Sequence, residues 1–240
     1  MQEHRYLLNI KELEDADERG ELWQRVIHML DADRLRKFQK IGHKNGRAAC
    51  AGAGLLLQQA YCRYEEEKTE NGMNMQPIRL ESVRVDEILY HVKERALFEI
   101  VYREKGKPEI KGNPFCYNIS HSGEYVFCGV SDYEIGVDIQ EQKSTRRDNE
   151  AIKELRLAER FFSEEEVREM EKMKDEADVK KQFYRLWTRK EAVGKLHGTG
   201  LMEWIGWDMR HDPENKGNGY IWEEYEVSNC LIAVCRFERT

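Results

Sequence analysis

The chain has 240 residues, enough for one large domain or two small ones with a real core. Its formal net charge of -7 excludes the broad basic field that a general nucleic-acid or membrane-surface binder needs, and leaves room only for local basic patches. No stretch approaches the ~20 apolar residues of a membrane span, the longest weakly polar run being Ala48 to Leu57.

Residues 1–20 are charged throughout and show no apolar stretch of a secretory signal, so the expectation is a soluble protein of the cytoplasm. The cysteines at 50, 62, 116, 128, 230 and 235 form no CxxC pair and no cluster with zinc-ligand spacing. They read as reduced thiols.

Leu7 and Leu8 begin a strand. Leu13 to Lys40 then carries helical spacing through Leu22, Trp23, Val26, Ile27, Leu30, Leu35 and Phe38, with breaks expected at Gly20 and Asp31. Arg34, Arg36, Lys37, Lys40, His43, Lys44 and Arg47 make a basic cluster in an acidic chain, which is either an anion site or a solvated helix face. Ala48 to Tyr64 is a helix of small residues suited to close packing on a sheet, and Glu65 to Gln76 reads as a surface loop. Leu97 to Tyr102 is a strand, with a turn at Gly106-Lys107-Pro108.

From Phe115 the character changes. Tyr117 to Gly123 is a polar, turn-forming run, followed by strands at Tyr125 to Val130 and Ile135 to Ile139. The second of these strands contains a carboxylate, Asp138, out of place in a core. Gln140 to Glu159 is polar and mostly helical. Ser163 then N-caps a helix, with Glu166 at the capping-box position. Phe183, Leu186, Trp187 and Val193 lie on one face of a further helix, and the column from Phe183 and Trp187 runs on into Glu191 and Lys195, with Lys190 beside them. Glu191 and Lys195 are either an ordinary i,i+4 pair or the end of a helix leaving the core for a site. Glycines at 198 and 200 stop this helix, and Tyr220 to Val227 and Cys230 to Phe237 close the chain as two strands about Ser228-Asn229. The order of elements describes two α+β halves, with a break near Pro114.

Asp138 and Glu191, two carboxylates far apart in sequence, can meet at a hard divalent cation. Mg2+ takes one or two carboxylates, several waters and phosphate oxygens, and adjacent lysines would neutralise a phosphate's charge.

The ordered set GKP (106–108), NISHS (118–122), IGVDI (135–139), RFFSEEE (160–166) and LWTRKEAVGK (186–195) resembles the Sfp-type 4'-phosphopantetheinyl transferases. It is dense over residues 106–201 and loose before them. The resemblance implies a Mg2+-dependent enzyme that moves phosphopantetheine from coenzyme A to a serine hydroxyl of an apo acyl, peptidyl or aryl carrier protein, releasing adenosine 3',5'-bisphosphate. It implies metal positions at Asp138 and Glu191, with Gln140 standing where the family often has a third carboxylate. Ser120 and His121 match the phosphate-contacting motif, Lys190 and Lys195 the lysines around the coenzyme's phosphates, and Lys107 and Pro108 the adenine end. Lys40, Lys44 and Arg47 are then the partners of the 3'-phosphate. Glu166 matches the position of a general base, against its capping-box reading, and His121 and Lys195 join it as catalytic candidates.

The fold implied is α+β, a monomer of two similar α/β subdomains in pseudo-twofold arrangement, each with a small antiparallel sheet packed on helices, and the coenzyme in the cleft between. Residues 1–114 would hold the coenzyme's 3'-phosphate and adenine; residues 115–240 would supply the metal and catalytic motifs. Residues 115–240 would also contact the carrier, through Val167, Met170 and Met173. Two other classes stay open: a Mg2+-dependent nucleotide phosphohydrolase, and a non-catalytic coenzyme-A-binding module, to which Gln140 points.

Overall fold

The computed structural model describes residues 3–69, 78–142, 150–209 and 219–238. It forms two compact units, Met1–Glu134 and Ile135–Thr240.

In the first unit, β1 (His4–Asn9) is followed by α1 (Lys11–Asp15), α2 (Glu21–Met29), α3 (Ala32–Lys40) and the long α4 (Lys44–Thr69). The expected breaks are there. Gly20 caps α2, and the Asp31 side chain caps α3 by accepting from the Arg34 amide at 2.9 Å. After α4 come β2 (Leu80–Val83), α5 (Val85–His91), β3 (Ile100–Tyr102), β4 (Pro108–Ile110), β5 (Cys116–Ser122) and β6 (Tyr125–Ser131). β2 and α5 are additional to the elements expected from the sequence, being too short, at 4 and 7 residues, to show a clear period. The expected helix ended at Tyr64, whereas α4 continues to Thr69; the rest of the expected loop, from residue 70, lies outside the described residues.

The main sheet has the order β2-β1-β6-β5. It is mixed rather than antiparallel, because β1 runs parallel to β2 and antiparallel to β6. Tyr6 and Leu8 on one face of β1, with Ile10 just beyond it, enter a core shared with Leu55, Leu56 and Val126. The small residues of α4 serve this contact: a Cβ on Gly52 would lie 2.7 Å from Ile10 Cγ2 and 3.2 Å from Val126 Cγ2.

The NISHS run is strand β5 and not a turn. Its partner β6 is a continuous apolar strand, and the register Tyr117↔Val130, Ile119↔Cys128, His121↔Val126 draws polar residues into the ladder. The turn falls instead at Gly123, where φ is +54°. For the same reason the division lies after Glu134, whereas a break at Pro114 was expected: β5 and β6 belong to the sheet of β1.

The second unit runs β7 (Ile135–Glu141), α6 (Glu150–Phe161), α7 (Glu164–Lys172), α8 (Glu176–His197), a 3-10 turn (Leu201–Trp204), β8 (Tyr220–Val227) and β9 (Cys230–Phe237). Residues 143–149 of the expected helical span lie outside the described residues. The sheet β7-β9-β8 is antiparallel, and the two closing strands have the bounds read from the sequence. Phe162, Met170, Phe183, Leu186, Val193 and Cys235 share its core. Met170 is fully buried, which corrects its reading as a carrier contact; Val167 and Met173 are partly buried against the same core. Met170→Glu would forfeit about 1.5–3 kcal/mol of burial and place an unpaired carboxylate in the core, so its effect on any partner could not be separated from loss of stability.

Three partly buried carboxylates tie elements together. Asp33 accepts from the Tyr102 hydroxyl at 2.5 Å and pairs with Lys37 at 3.0 Å; Glu134 pairs with Lys107 at 2.6 Å; Glu224 takes the Arg185 and Arg189 guanidiniums, both at 2.6–2.7 Å. Burial alone would raise each acid, but these hydrogen bonds and charges win and hold all three below the usual carboxylate range. A depressed carboxylate contributes stability that is present above its unfolded value and is lost as pH falls through its folded value. The urea midpoint, followed by circular dichroism, should therefore fall between pH 5 and pH 3, and Glu224→Gln should flatten that fall. An identical slope in the variant would remove Glu224 from the account.

Candidate functional site

Strand β7 alternates. Ile135, Val137 and Ile139 are buried on one face, and Gly136, Asp138 and Gln140 share the other. The second face meets α8. A Cβ on Gly136 would stand 2.0 Å from the Ala192 carbonyl oxygen and 2.4 Å from the Leu196 amide nitrogen, so only glycine lets the helix backbone come this close.

Helix α8 is capped at its start by the Asp175 side chain, which accepts from the Ala177 amide at 2.7 Å, and at its end by Gly198 at φ +69°. Its apolar positions Phe183, Leu186 and Val193 are buried. Glu191 and Lys195, one turn apart, face β7 beside Gly136. The Lys195 ammonium sits 2.6 Å from Asp138 Oδ1, and Asp138 is only 4% exposed. Burial raises the Glu191 carboxyl above its ordinary range, the Asp138 charge raises it further, and Lys195 pulls it back. Two carboxylates within electrostatic reach of each other and one ammonium thus form a single cluster.

Such a pair of carboxylates repel each other unless a cation lies between or beside them. Among the described residues no group of three or more His, Cys, Asp or Glu side chains is arranged to hold a metal ion. Two carboxylates with the Gln140 amide on the same strand face are nevertheless the donor set that Mg2+ accepts, since it keeps several waters. The residues fit the ion.

Glu166 and Lys190 form a second, separate cluster, and neither has exposed side-chain surface. Lys190 Nζ lies 2.9 Å from Glu166 Oε2 and donates to the Trp207 carbonyl, with the Trp204 carbonyl at 3.5 Å. Glu166 Oε2 also accepts from the Ser163 amide at 2.8 Å, completing the capping box, while Oε1 accepts from the Met209 amide at 2.7 Å. Burial lowers the Lys190 ammonium below the usual lysine range although Glu166 raises it. Arg189, which the sequence reading passed over, is 1% exposed, with Nε 2.6 Å from Glu224 Oε1 and Nη1 2.5 Å from the Met209 carbonyl. Its only signal in the sequence is position, one step before Lys190 on a largely buried helix.

The remaining candidates lie in the first unit. Ser120 is buried and His121 exposed, since neighbours on β5 point to opposite faces. Lys107 is 7% exposed and paired with Glu134, and Pro108 opens β4. Lys40 is exposed at the end of α3, and Lys44 begins α4. The Arg47 guanidinium grips the Glu18 carboxylate at 2.7 and 2.9 Å and donates to the Ile41 carbonyl at 2.9 Å. No residue of α3 is buried, which agrees with a solvated basic face.

Residues 134–231, the span from β7 into β9, match the family model of the 4'-phosphopantetheinyl transferase superfamily, and the resemblance drawn from the motifs is borne out there. Among curated proteins the chain is similar to 4'-phosphopantetheinyl transferase Sfp of Bacillus subtilis, 38% identical over 100 residues, 41% of each chain. It is 33% identical over 125 residues to 4'-phosphopantetheinyl transferase psf-1 of Bacillus pumilus, covering 51% of this chain and 50% of that one. A longer match, 31% over 144 residues, joins it to 4'-phosphopantetheinyl transferase gsp of Aneurinibacillus migulanus, covering 60% and 55%. The chain thus spans about half the length of the curated relatives it matches. Among the described residues no helix is long and apolar enough to cross a membrane.

Proposed function

We propose that this chain is a transferase that moves the 4'-phosphopantetheine group of coenzyme A onto a serine hydroxyl of an apo carrier protein, with Mg2+ and with release of adenosine 3',5'-bisphosphate. One observation supports this reading above the others: Asp138 and Glu191, far apart in sequence, come together with Lys195 inside the segment that matches the superfamily.

Asp138 and Glu191 would hold Mg2+, with Gln140 contributing its amide oxygen or orienting a bound water. When bound, the ion supplies positive charge that neutralises the coenzyme's pyrophosphate. The serine oxygen forms a bond to the phosphorus that carries pantetheine as its hydroxyl proton passes to solvent water, the bond from that phosphorus to the bridging oxygen breaks, and the bisphosphate leaves with the electron pair. Little covalent work falls to the protein, and positioning and charge carry most of such a transfer. Lys195 is proposed to turn its ammonium from Asp138 toward the phosphate oxygens. Ser120, His121, Lys107, Pro108, Lys40 and Lys44 are kept as contacts of the coenzyme. Arg47 is a weaker candidate, its guanidinium being engaged by Glu18. A general base needs a carboxylate oxygen open to the attacking hydroxyl, and both oxygens of Glu166 are engaged below the surface, so that role is not carried into the proposal.

The test is the intact mass of apo acyl, peptidyl and aryl carrier proteins after incubation with this protein, coenzyme A and Mg2+. A gain of one phosphopantetheine, absent without Mg2+, supports the reading. No gain on any carrier, with coenzyme A bound, would make the chain a non-catalytic coenzyme-binding module, and turnover of coenzyme A without a carrier would make it a hydrolase.

The neutral amide at 140 leads to a separate expectation. Gln140→Glu adds a third carboxylate to the β7 face and should tighten Mg2+ by roughly tenfold in calorimetric titration. An unchanged affinity would place residue 140 outside the ion's surroundings.

A further inference from the structure

Thr188-Arg189-Lys190-Glu191 are consecutive on α8, and successive side chains of a helix leave its axis about 100° apart. Each charge therefore meets a different neighbour. Glu191 faces β7, Lys190 reaches Glu166 on α7, and Arg189 reaches Glu224 on β8. Residues 205–209 follow the 3-10 turn without regular structure, so the backbone groups of Trp207 and of the buried Met209 have no ladder to bond to. The same buried charges supply the partners: the Trp207 carbonyl accepts from Lys190, the Met209 carbonyl from Arg189, and the Met209 amide donates to Glu166.

We infer that Arg189, Lys190 and Glu166 form a clamp that holds segment 204–209 and locks the roll of α8, and that they are positioning residues for Glu191 rather than contacts of the coenzyme. The catalytic part of this inference rests on the transferase reading; the clamp itself does not. Buried ion pairs add little net stability, but losing one partner leaves an uncompensated charge, and their directional hydrogen bonds select one geometry. A helix rolled by a fraction of a turn would swing Glu191 away from Asp138. Because Lys190 is held on one side of Glu191 and Arg189 on the other side of Lys190, such a roll would break both contacts.

The experiment compares Glu166→Gln, Lys190→Met, their double variant and Lys190→Arg. Three readouts are needed: acrylamide quenching of tryptophan, coenzyme-A affinity by calorimetry, and transfer kinetics. Trp204, 7% exposed, reports release of the segment when the other four tryptophans, Trp207 at 50% exposure among them, are replaced by phenylalanine in every protein compared. The clamp predicts that either single variant increases quenching and lowers kcat by about tenfold or more, with the coenzyme-A affinity within about twofold of wild type. The double variant should be no worse than the worse single one, because partners in one network are not additive, and Lys190→Arg should restore part of kcat. Loss of coenzyme-A affinity by about tenfold in Lys190→Met alone, with quenching unchanged, overturns the clamp in favour of a phosphate contact. If wild type transfers nothing, quenching and affinity still decide the clamp while the transferase reading fails. Should the variants not fold, amide exchange of the wild-type protein decides: a protected Met209 amide is expected, and one exchanging like an open loop overturns the inference.

Discussion

Glu191→Ala is expected to abolish Mg2+-dependent transfer, lowering kcat/KM by on the order of a thousandfold, while leaving the metal-free protein as stable as before or slightly more so. The opposite signs follow from one geometry. In the absence of metal, Glu191 is a half-buried carboxyl raised by burial and by the Asp138 charge, so it contributes repulsion. Removing it leaves Asp138 paired with Lys195 at 2.6 Å. A ligand that binds only the folded state stabilises it in proportion to the logarithm of its concentration over Kd, so Mg2+ should raise the melting temperature of wild type and not of the variant. Thermal scans with and without Mg2+ check this independently of any carrier protein. A variant that keeps the full Mg2+-induced shift would show that Glu191 does not hold the ion, whatever its activity.

Gly136→Ala should be the most damaging single methyl in the second unit. The added carbon would lie 2.0 Å from the Ala192 oxygen and 2.4 Å from the Leu196 nitrogen, and both are backbone atoms of a helix that cannot turn aside as a side chain does. Helix α8 must lift from β7. Overpacking typically costs 1–3 kcal/mol, and a clash with backbone on both sides belongs at or above the top of that range, about 3 kcal/mol. For a chain of this size that lowers the melting temperature by roughly 10 °C. The same lift carries Glu191 and Lys195 away from Asp138, so Mg2+ affinity should fall in the same variant although no ligand has been touched. A melting temperature within about 2 °C of wild type would contradict the close approach of strand and helix.

These two residues show how differently parts of the site could be read. Asp138 stood out as a carboxylate in an apolar strand, and Glu191 as a charge on an apolar column, because the periods of strand and helix are local properties. The Ser163 and Glu166 capping box was equally local and is present as read. Gly136 was one more glycine in the motif until α8 was laid across it. NISHS shows the limit of local reading: its residues favour turns, yet pairing with β6 makes it strand β5. Met170 fails in the same way, since an apolar residue on a short charged helix is core or surface according to what packs over it.

What the sequence determined by itself is whatever depends on neighbours within a few positions: most helices and their caps, the two closing strands, and the carboxylates that break an apolar pattern. The tertiary structure alone decided which distant charges meet. It set Lys195 on Asp138 and placed Glu166, Lys190 and Arg189 around one irregular segment. The reason is physical: a buried charge is tolerated only with its partner in place, and that partner is supplied by chain folding over tens of residues, which no local periodicity records.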